Sequence, residues 1–409
     1  MFLTNTNRDE QTSFIRLLKT NFILMNKIFI IRYGIICLLS FMQLTLWGQT
    51  KDIHRETTAG PIDQAIQKPR LAHEKSWSLI LIPDPQNYVK YNRNQPILDL
   101  MMAWIEDNID SLNIKMVLCT GDLVEQNDRI NRGKDGDQSS QHQWEAIVRS
   151  FSKLNGKVPY ITATGNHDYS VDDRGHRTSR FNEFFKVDNN FLNQRIICQN
   201  TLNEQGIPTI ENSAYEVKDL NGLDYLFLTL EFAPRDTVLS WAGRIVDMDE
   251  YKNHRVILLT HAYINREDRF LTGDIKLVRY NPYSENHTIS KSRIPLPDAN
   301  NGEQIWEKLV EPAHNINMVL CGHISGEGYR CDINAAGEKV HQILFDAQSD
   351  GGGHRDGNGG DGWLRILEFF PDNKTVKIMT FSPLFASSPT TRQFAWKKDL
   401  RNTYTIRFD

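Results

Sequence analysis

Five short apolar runs in this chain each end at a polar signature that contains Asp, Asn or His, and this pattern limits the fold more than any other feature. Each run has the length and composition of a buried strand. A core strand that stops at such a residue places a potential metal ligand at one edge of a sheet, where α/β folds collect their sites. The runs 79–82, 116–119, 160–162, 256–259 and 318–320 lead to Asp84-Pro85-Gln86, Gly121-Asp122, Gly165-Asn166-His167-Asp168, Thr260-His261 and Gly322-His323-Ile324-Ser325. Together, five endings of this kind predict a metal centre.

Helical patterns lie between these strands. Apolar residues recur at helical spacing over 97–109 and 144–154, and further helices are predicted near 237–246 and 303–310. After residue 340 the pattern changes to short strands separated by turns, at 340–345, 364–370 and 376–381. Strand–helix alternation followed by meandering strands predicts a layered α/β sandwich rather than a simple doubly wound sheet.

The ordered signatures resemble those of the calcineurin-like metallophosphoesterase family, and the Gly165-Asn166-His167-Asp168 segment is the most specific of them. The surroundings of Asp84 and of His323 are similar to an exported bacterial branch with Asp-x-Gln and Gly-His-Ile-Ser motifs. The resemblance runs from Leu79 to Ser325. It implies a four-layer α/β/β/α sandwich with mixed sheets, and hydrolysis of phosphomonoesters or phosphodiesters by a hydroxide that bridges two divalent metal ions.

The resemblance also implies which residues would hold the two ions. One carboxylate would be shared, one set of side chains would complete the second ion's site, and a smaller set would serve the first ion. The shared carboxylate would be Asp122. The second ion's site would be completed by Asn166, His261 and His323, and the first ion would be served by Asp84 and Gln86.

Two further residues would act on the substrate rather than on the metals. By the family pattern, His167 would donate a proton or a hydrogen bond to the leaving oxygen, and Asp168 would orient its imidazole. The alternative is that both residues only stabilise a tight turn.

Two positions depart from the family pattern, and both belong to the first ion. Gln86 and Ser325 stand where the family usually has histidine. Oxygen-rich coordination favours Mn²⁺, Mg²⁺ or Ca²⁺ over Zn²⁺ at that ion, with Fe also a candidate for the centre. The open alternatives are a metal-binding accessory protein with a degenerate site and little turnover, and a glycan hydrolase that uses a carboxylate pair such as Asp122 and Glu125.

Other polar residues near the signatures are weaker candidates for lining the cleft: Glu125, Asn127, Arg177, Arg180 and Tyr263. The glycine-rich run 351–362 resembles a phosphate-binding loop but leads into a strand and lacks Gly-Lys-Ser/Thr, so it predicts a mobile surface loop in which His354 is solvated. The polar segment 264–300 predicts a long irregular loop at a site entrance.

Charge narrows the class of partner. The formal net charge is −4 and the pI is about 6.3, with the basic residues dispersed along the chain. This argues against nucleic-acid binding as the main function. A phosphate ester substrate is the partner that the resemblance implies.

The N-terminal region predicts export. Lys27 and Arg32 precede an uncharged, mostly apolar run at 33–47, and Gly48-Gln49 supplies a small-residue cleavage point. The run is shorter than the about 20 residues of a membrane span. We therefore expect cleavage and a periplasmic or extracellular protein without a stable membrane span, an uncleaved anchor being the alternative. Charges before Met25 are unusual for a signal peptide, so translation is expected to start there.

The expected organisation is an export signal region at 1–48, a polar leader at 49–76, the phosphoesterase domain at 77–385 and a C-terminal extension at 386–409 packed on that domain. Cysteine usage adds little. Cys198 and Cys331 lie in loop-like sequence, so their pairing in an oxidising compartment is left open.

Overall fold

Two seven-stranded mixed sheets form the centre of the computed structural model, which describes residues 68–128, 136–171, 176–273 and 298–409. In chain order the strands are β1 Trp77–Ile82, β2 Ile114–Cys119, β3 Tyr160–Thr162, β4 Ser170–Val171, β5 Arg177–Thr178, β6 Ile197–Leu202, β7 Pro208–Leu220, β8 Leu223–Thr229, β9 Arg255–Leu259, β10 Ile316–Cys321, β11 Gly326–Ile333, β12 Lys339–Asp346, β13 Leu364–Phe369, β14 Thr375–Phe381, β15 Trp396–Lys397 and β16 Tyr404–Arg407.

The first sheet has the order β15-β14-β13-β1-β2-β3, with β16 also paired to β14, and the second has the order β11-β12-β10-β9-β8-β7-β6. In the first sheet β1, β2 and β3 run parallel to one another. In the second, β8, β9, β10 and β12 are parallel neighbours. The carboxyl ends of the parallel strands therefore meet at one edge of each sheet. Strands β4 and β5 form a separate antiparallel pair.

Helices flank these sheets. They are α1 Gln86–Val89, α2 Gln95–Asp107, α3 Ser140–Phe151, α4 Phe181–Phe184, α5 Phe191–Ile196, α6 Asp236–Val246, α7 Gly302–Ile305, α8 Gly353–Asp356 and α9 Pro383–Ala386, with 3₁₀ turns at Ser152–Leu154, Asn166–Asp168, Val187–Asn189 and Arg392–Phe394 and a π turn at Trp306–Val310. Helix α3 begins where the Ser139 hydroxyl accepts a hydrogen bond from the His142 amide, a standard N-cap.

Three apolar layers hold the four layers of secondary structure together. Leu79 and Leu81 face the second sheet, where Ile257 and Met318 meet them. On the outer face of the first sheet, Ile80 and its neighbours pack on α2 and α3. On the outer face of the second sheet, the core includes residues of α6 and α7. Because both faces of each sheet are covered, the central parallel strands β1, β2, β9 and β10 are apolar at nearly every position. The predicted α/β/β/α sandwich with mixed sheets is confirmed.

The four helices predicted from periodicity correspond to α2, α3, α6 and the α7–π segment. The strands β6, β7 and β11 were not anticipated. The description of Cys198 and Cys331 as loop residues is wrong: they lie in β6 and β11, at opposite edges of the second sheet, and both are free thiols. A disulfide between them would have to span the whole sheet.

The region 351–362 contains the short helix α8 and leads into β13, as expected of a segment that is not a phosphate-binding loop. The export signal, most of the polar leader and residues 274–297 of the predicted entrance loop lie outside the described residues. Within the described ranges, no helix has both the length and the apolar content that crossing a bilayer requires.

Candidate metal centre

The five polar signatures meet at one place, where β1, β2 and β3 of one sheet and β9 and β10 of the other end. Ligand atoms of Asp122, His261 and His323 all lie within 4.8 Å of one another. Asp122 and His261 are buried, and His323 is partly exposed. A carboxylate and two imidazoles converging on one point form a donor set that suits a divalent transition metal.

Backbone geometry aims the Asp122 carboxylate into this space. Gly121 and Asp122 have φ angles of +103° and +49°, so the chain turns sharply as it leaves β2. Oδ1 of Asp122 accepts a hydrogen bond from the His167 amide at 3.0 Å. A Cβ atom on Gly165 would lie 2.1 Å from the same oxygen. Glycine is therefore required at 165 because the chain and the carboxylate approach so closely.

The ring of His261 is held in the tautomer that a metal ligand needs. Its Nδ1 lies 2.8 Å from the Thr120 carbonyl oxygen, which can only accept, so Nδ1 carries the proton of the neutral ring. Nε2 then faces two oxygens, Asn166 Oδ1 at 3.1 Å and Asp122 Oδ1 at 3.3 Å. A nitrogen lone pair facing two oxygens is stabilised by a proton or by a cation between them.

The electrostatics of these groups agree with that geometry. Burial opposes the charged form of His261, but the carboxylates of Asp122 and Asp84 raise its pKa to about 10. Burial and the neighbouring His261 lower the pKa of His323 to about 3, so this imidazole is neutral and able to bind a metal. Although burial opposes it, His261 and His167 hold the pKa of Asp122 below its usual range.

Phe232 packs beside both imidazoles, with ring centroids 5.8 Å from His261 and 6.0 Å from His323. His323 itself has a φ of +72°, and its amide donates to Asp84 Oδ2 at 2.8 Å. We call Asp122, Asn166, His261 and His323 the second half-site. The Thr120 carbonyl orients the His261 ring, and Phe232 packs against both imidazoles, which favours tight binding.

Asp84 holds the opposite side of the centre. Its Oδ1 accepts from the Thr120 hydroxyl at 2.5 Å, and a Cβ atom on Gly322 would lie 2.0 Å from that oxygen. Burial raises the pKa of Asp84 to about 6, the nearby Asp122 adding to the effect and His261 opposing it. A bound cation would relieve this repulsion between buried carboxylates.

Gln86 faces the same space. Its Nε2 lies 3.2 Å from Asp122 Oδ2 and 2.7 Å from Gln348 Oε1, so both amide hydrogens have acceptors. The Gln86 Oε1 atom is buried and has no hydrogen-bond partner among the described residues. Such an oxygen is costly to bury unless something binds it. We call Asp84, Gln86 and the shared Asp122 the first half-site; both half-sites fit divalent cations.

Ser325, the second departure from the family pattern, is partly exposed beside the first half-site. Its hydroxyl lies 3.4 Å from Asp346 Oδ2, and it accepts a hydrogen bond from the Ser349 hydroxyl at 2.7 Å. The residue at 325 is therefore linked to a buried carboxylate that comes from a different strand.

His167 lies next to the ligands with its ring oriented by a backbone group. Its Nδ1 is 2.8 Å from the Glu125 carbonyl oxygen. The two Asp168 oxygens accept from backbone amides instead, Gly165 at 2.8 Å and Val124 at 3.1 Å. Asp168 thus holds the turn that carries His167, and the Glu125 carbonyl oxygen contacts the ring; that Asp168 orients the imidazole stays a prediction.

Glu125 also forms a buried ion pair, with its Oε2 3.3 Å from Lys90 Nζ and both side chains fully buried. Of the other weaker candidates, Arg177 is buried in ion pairs with Glu204 and Glu231, and Arg180 pairs with Glu183 at the surface. These contacts are structural.

Asn127 and Tyr263 are likewise turned inward. The Asn127 side chain bonds to Ser170 and to the Thr178 carbonyl, and Tyr263 is fully buried. In the described part of the chain, each of the five weaker candidates is therefore buried or paired with a neighbouring residue.

The sequence reasoning missed Thr120, Asp346, Gln348 and Lys90. Asp346 carried a recognisable signal, because it directly follows the predicted strand 340–345, whose last three residues are apolar. Strand β12 is parallel to β10, so Asp346 reaches the same sheet edge as His323. Thr120, Gln348 and Lys90 carried no such signal.

Comparison with known proteins places the chain. It is 27% identical over 321 residues to the uncharacterized protein YvnB of Bacillus subtilis (strain 168), a match that covers 75% of this chain and 20% of the relative. The chain thus spans about one fifth of that protein's length. Solved structures also resemble this chain, and two of them are described next.

One is GAP50, the anchor in the inner membrane complex of Plasmodium, with a TM-score of 0.36, 11% identity, and coverage of 82% of this chain and 89% of that one. The other is a Staphylococcus aureus protein described provisionally as a 5′-nucleotidase, in complex with alpha-ketoglutarate, with a TM-score of 0.35, 12% identity, and coverage of 82% and 53%.

The family comparison is the decisive one. The model of the calcineurin-like phosphoesterase family matches residues 52–326, a segment that contains Asp84, Asp122, His261 and His323. That segment makes up more than half of the 409 residues. This chain belongs to the calcineurin-like phosphoesterase family.

Proposed function

We propose that this protein is an exported, metal-dependent phosphoesterase that hydrolyses phosphomonoesters or phosphodiesters. The observation that carries the proposal is the convergence of Asp122, His261 and His323 within 4.8 Å, with His167 adjacent. Two divalent cations, when bound, would lower the pKa of a water molecule and neutralise the oxygens of a phosphoryl group.

The protein's own residues supply the remaining requirements. Asp122 uses both oxygens, one towards His261 in the second half-site and the other towards Gln86 in the first. Its lowered pKa keeps it ionised, so it is available to both half-sites at neutral pH. Asn166 Oδ1 lies beside His261 Nε2 and adds a neutral oxygen on the same side.

His167 is suited to protonating the leaving oxygen. Nδ1 lies against the Glu125 carbonyl oxygen, which can only accept, so in the charged ring Nε2 would hold the transferable proton. Burial opposes protonation, but Asp122 and Glu125 together raise the pKa of His167. A donor with a raised pKa is charged over more of the neutral range, which suits a general acid.

Hydrolysis of a matched pair of aryl phosphate substrates, one monoester and one diester, tests this proposal. The protein is stripped with a chelator and restored separately with Mn²⁺, Zn²⁺, Mg²⁺ and Ca²⁺, and bound metal is measured in parallel. We expect turnover to return with at least one metal at two ions per chain. Absence of turnover with all four metals, or aryl phosphate turnover that survives chelation, would contradict the proposal. Hydrolysis of an aryl glycoside that survives chelation would indicate the carboxylate-pair hydrolase instead.

A second candidate is a metal-binding accessory protein with little or no turnover. Gln86 and Ser325 support it, because both replace imidazoles of the first half-site. In that case the same experiment would give one ion per chain and no hydrolysis with any metal.

Export is the remaining part of the proposal. It is supported by Lys27 and Arg32 before the apolar run 33–47, and by the cleavage point at Gly48-Gln49. Expression of the full chain in a bacterial host, followed by fractionation and N-terminal sequencing, should give a product outside the cytoplasm that begins near Gln49. A full-length cytoplasmic product would contradict it.

A further inference from the structure

A buried carboxylate lies beside both positions where the first half-site lacks the family's imidazoles. Asp346 is 2% exposed and ends β12, where its register partner on β11 is Gly326. Its side chain therefore lies next to Ser325, with Asp346 Oδ2 3.4 Å from the Ser325 hydroxyl. A serine is much shorter than an imidazole, so a carboxylate from the neighbouring strand can reach the space that a histidine at 325 would fill.

A chain of hydrogen bonds joins Asp346 to the other departure, Gln86. Gln348 Nε2 donates to Asp346 Oδ2 at 2.7 Å, and Gln348 Oε1 accepts from Gln86 Nε2 at 2.7 Å. The Gln86 amide is thereby held by Gln348, and its Oε1 is buried without a hydrogen-bond partner among the described residues. Its second acceptor is Asp122 Oδ2, a ligand shared by the two half-sites.

Charge supports the same assignment. The carboxylates of Asp84 and Asp122 both act on Asp346, so three acidic groups share one buried region. Asp346 Oδ1 accepts only from the Gln348 amide among the contacts shown, so it keeps a second lone pair; Oδ2 accepts from the Gln348 side chain and, at 3.4 Å, from the Ser325 hydroxyl. Buried carboxylates in this number are stabilised by a cation.

We propose that Asp346 is an oxygen ligand of the first half-site, in place of the imidazole absent at 325, and that Gln348 positions Gln86 to bind the same cation. The inference rests on the proposed function, since it presumes two cations at this centre. It makes the first half-site an all-oxygen site of Asp84, Gln86, Asp122 and Asp346. Such a donor set selects Mn²⁺, Mg²⁺ or Ca²⁺ over Zn²⁺.

Equilibrium binding of Mn²⁺ to the chelated protein tests the assignment, with bound metal measured by elemental analysis and free Mn²⁺ by its electron paramagnetic resonance signal. The variants are Asp346→Asn and, as a matched control, Glu368→Gln. Glu368 is also a fully buried carboxylate, but it accepts from the Ala72 and His73 amides beside the first residues of β1, at the opposite end from Asp84.

We expect two Mn²⁺ per chain for the wild type and for Glu368→Gln. Asp346→Asn should keep the ion of the second half-site. It should bind the ion of the first half-site at least about tenfold more weakly, as loss of one ligand predicts. Two ions bound to Asp346→Asn with wild-type affinities would overturn the assignment. Gln348→Leu should weaken the same ion by a smaller factor, because it only positions Gln86.

A rescue experiment separates ligation from a structural role. The double variant Asp346→Asn/Ser325→His places an imidazole where the carboxylate is proposed to act. We expect it to regain the second equivalent of metal, now with Zn²⁺ preferred over Mn²⁺. A folded double variant, judged by thermal melting, that still binds one ion would contradict the inference.

If Asp346→Asn does not fold, the single variant Ser325→His decides. If Asp346 lies beside the cation, Ser325→His adds an imidazole to the first half-site. The affinity of that half-site for Zn²⁺ should then rise about tenfold or more. Unchanged affinity would overturn the assignment. Failure of the proposed function gives a different result. The wild type would then show no turnover with any metal, however many Mn²⁺ ions it binds.

Discussion

The two half-sites share Asp122 but are built from different donors. In the second, His261 and His323 supply nitrogen; the Thr120 carbonyl orients the His261 ring, and both rings pack against Phe232. In the first, the donors that the structure brings together are oxygens, and side-chain hydrogen bonds orient them through Gln348. Imidazole binding favours Zn²⁺ and its neighbours, whereas carboxylate and carbonyl oxygens favour Mg²⁺, Ca²⁺ and Mn²⁺. One shared carboxylate can thus serve two sites with different metal preferences.

This difference has a counterpart in how each half-site is supported. The second half-site depends on two turns with positive φ, at Asp122 and at His323, which the surrounding chain enforces. The first depends on a side-chain network that single substitutions can loosen without altering the backbone. We therefore expect the first half-site to be the more easily changed of the two.

Asp122→Asn should have the largest effect, because it removes the charge common to both half-sites. We expect loss of both ions and a fall in turnover of at least about 10⁴-fold, corresponding to several kcal/mol of lost charge stabilisation. Metal content and hydrolysis rate measured on the same preparation check this. A variant that kept both ions would show that the half-sites do not depend on a common carboxylate.

His323→Ala should separate the two half-sites. It removes a neutral nitrogen ligand from the second, so we expect that ion to be lost first and turnover to fall by about 10³-fold. The first half-site should still bind Mn²⁺ when the metal is supplied at a higher concentration. Loss of Mn²⁺ and Zn²⁺ binding to the same degree would show that the two half-sites are not distinct.

His167→Gln should reduce turnover by about a hundredfold while both ions remain bound, since this residue acts on the leaving oxygen. The raised pKa of His167 also predicts a pH effect. A general acid works only when protonated, so wild-type turnover should fall as pH rises through that raised pKa. The variant should lack this alkaline decline. A pH–rate profile of both proteins checks it, and the same decline in both would contradict the role.

Gln86→His should have the smallest effect on rate and the clearest effect on selectivity. Restoring an imidazole to the first half-site should increase its preference for Zn²⁺ over Mn²⁺ by about tenfold. Competition binding with the two metals measures the change. Unchanged preference would show that Gln86 does not contact the cation.

Much of this centre could be predicted from the chain because strand endings are a local signal. The apolar runs before Asp84, Asp122 and His261 fix both the strands and the sheet edge at which these residues lie. The α/β/β/α layering followed from the same runs and from helical periodicity. Residues 164–168 were recognisable because glycine and ligand stand next to each other in sequence.

The remaining features depend on contacts between distant segments. Glu125 orients His167 from 42 residues away, and Gln348 reaches Gln86 across 262 residues. No spacing rule relates such pairs, so the sequence alone indicates neither the Glu125 contact on the His167 ring nor the part played by Gln348. Cys198 and Cys331 were misplaced for a similar reason, because β6 and β11 are edge strands whose mixed polar and apolar residues resemble loops.

The most direct test of unequal half-sites is anomalous X-ray diffraction from crystals equilibrated with Mn²⁺ and Zn²⁺ together, recorded at the absorption edge of each metal. We expect a Zn peak bounded by Asp122, His261 and His323, and a separate Mn peak beside Asp84, Gln86 and Asp346. A single peak, or Zn at both positions with equal occupancy, would contradict the division into a nitrogen-containing and an all-oxygen half-site.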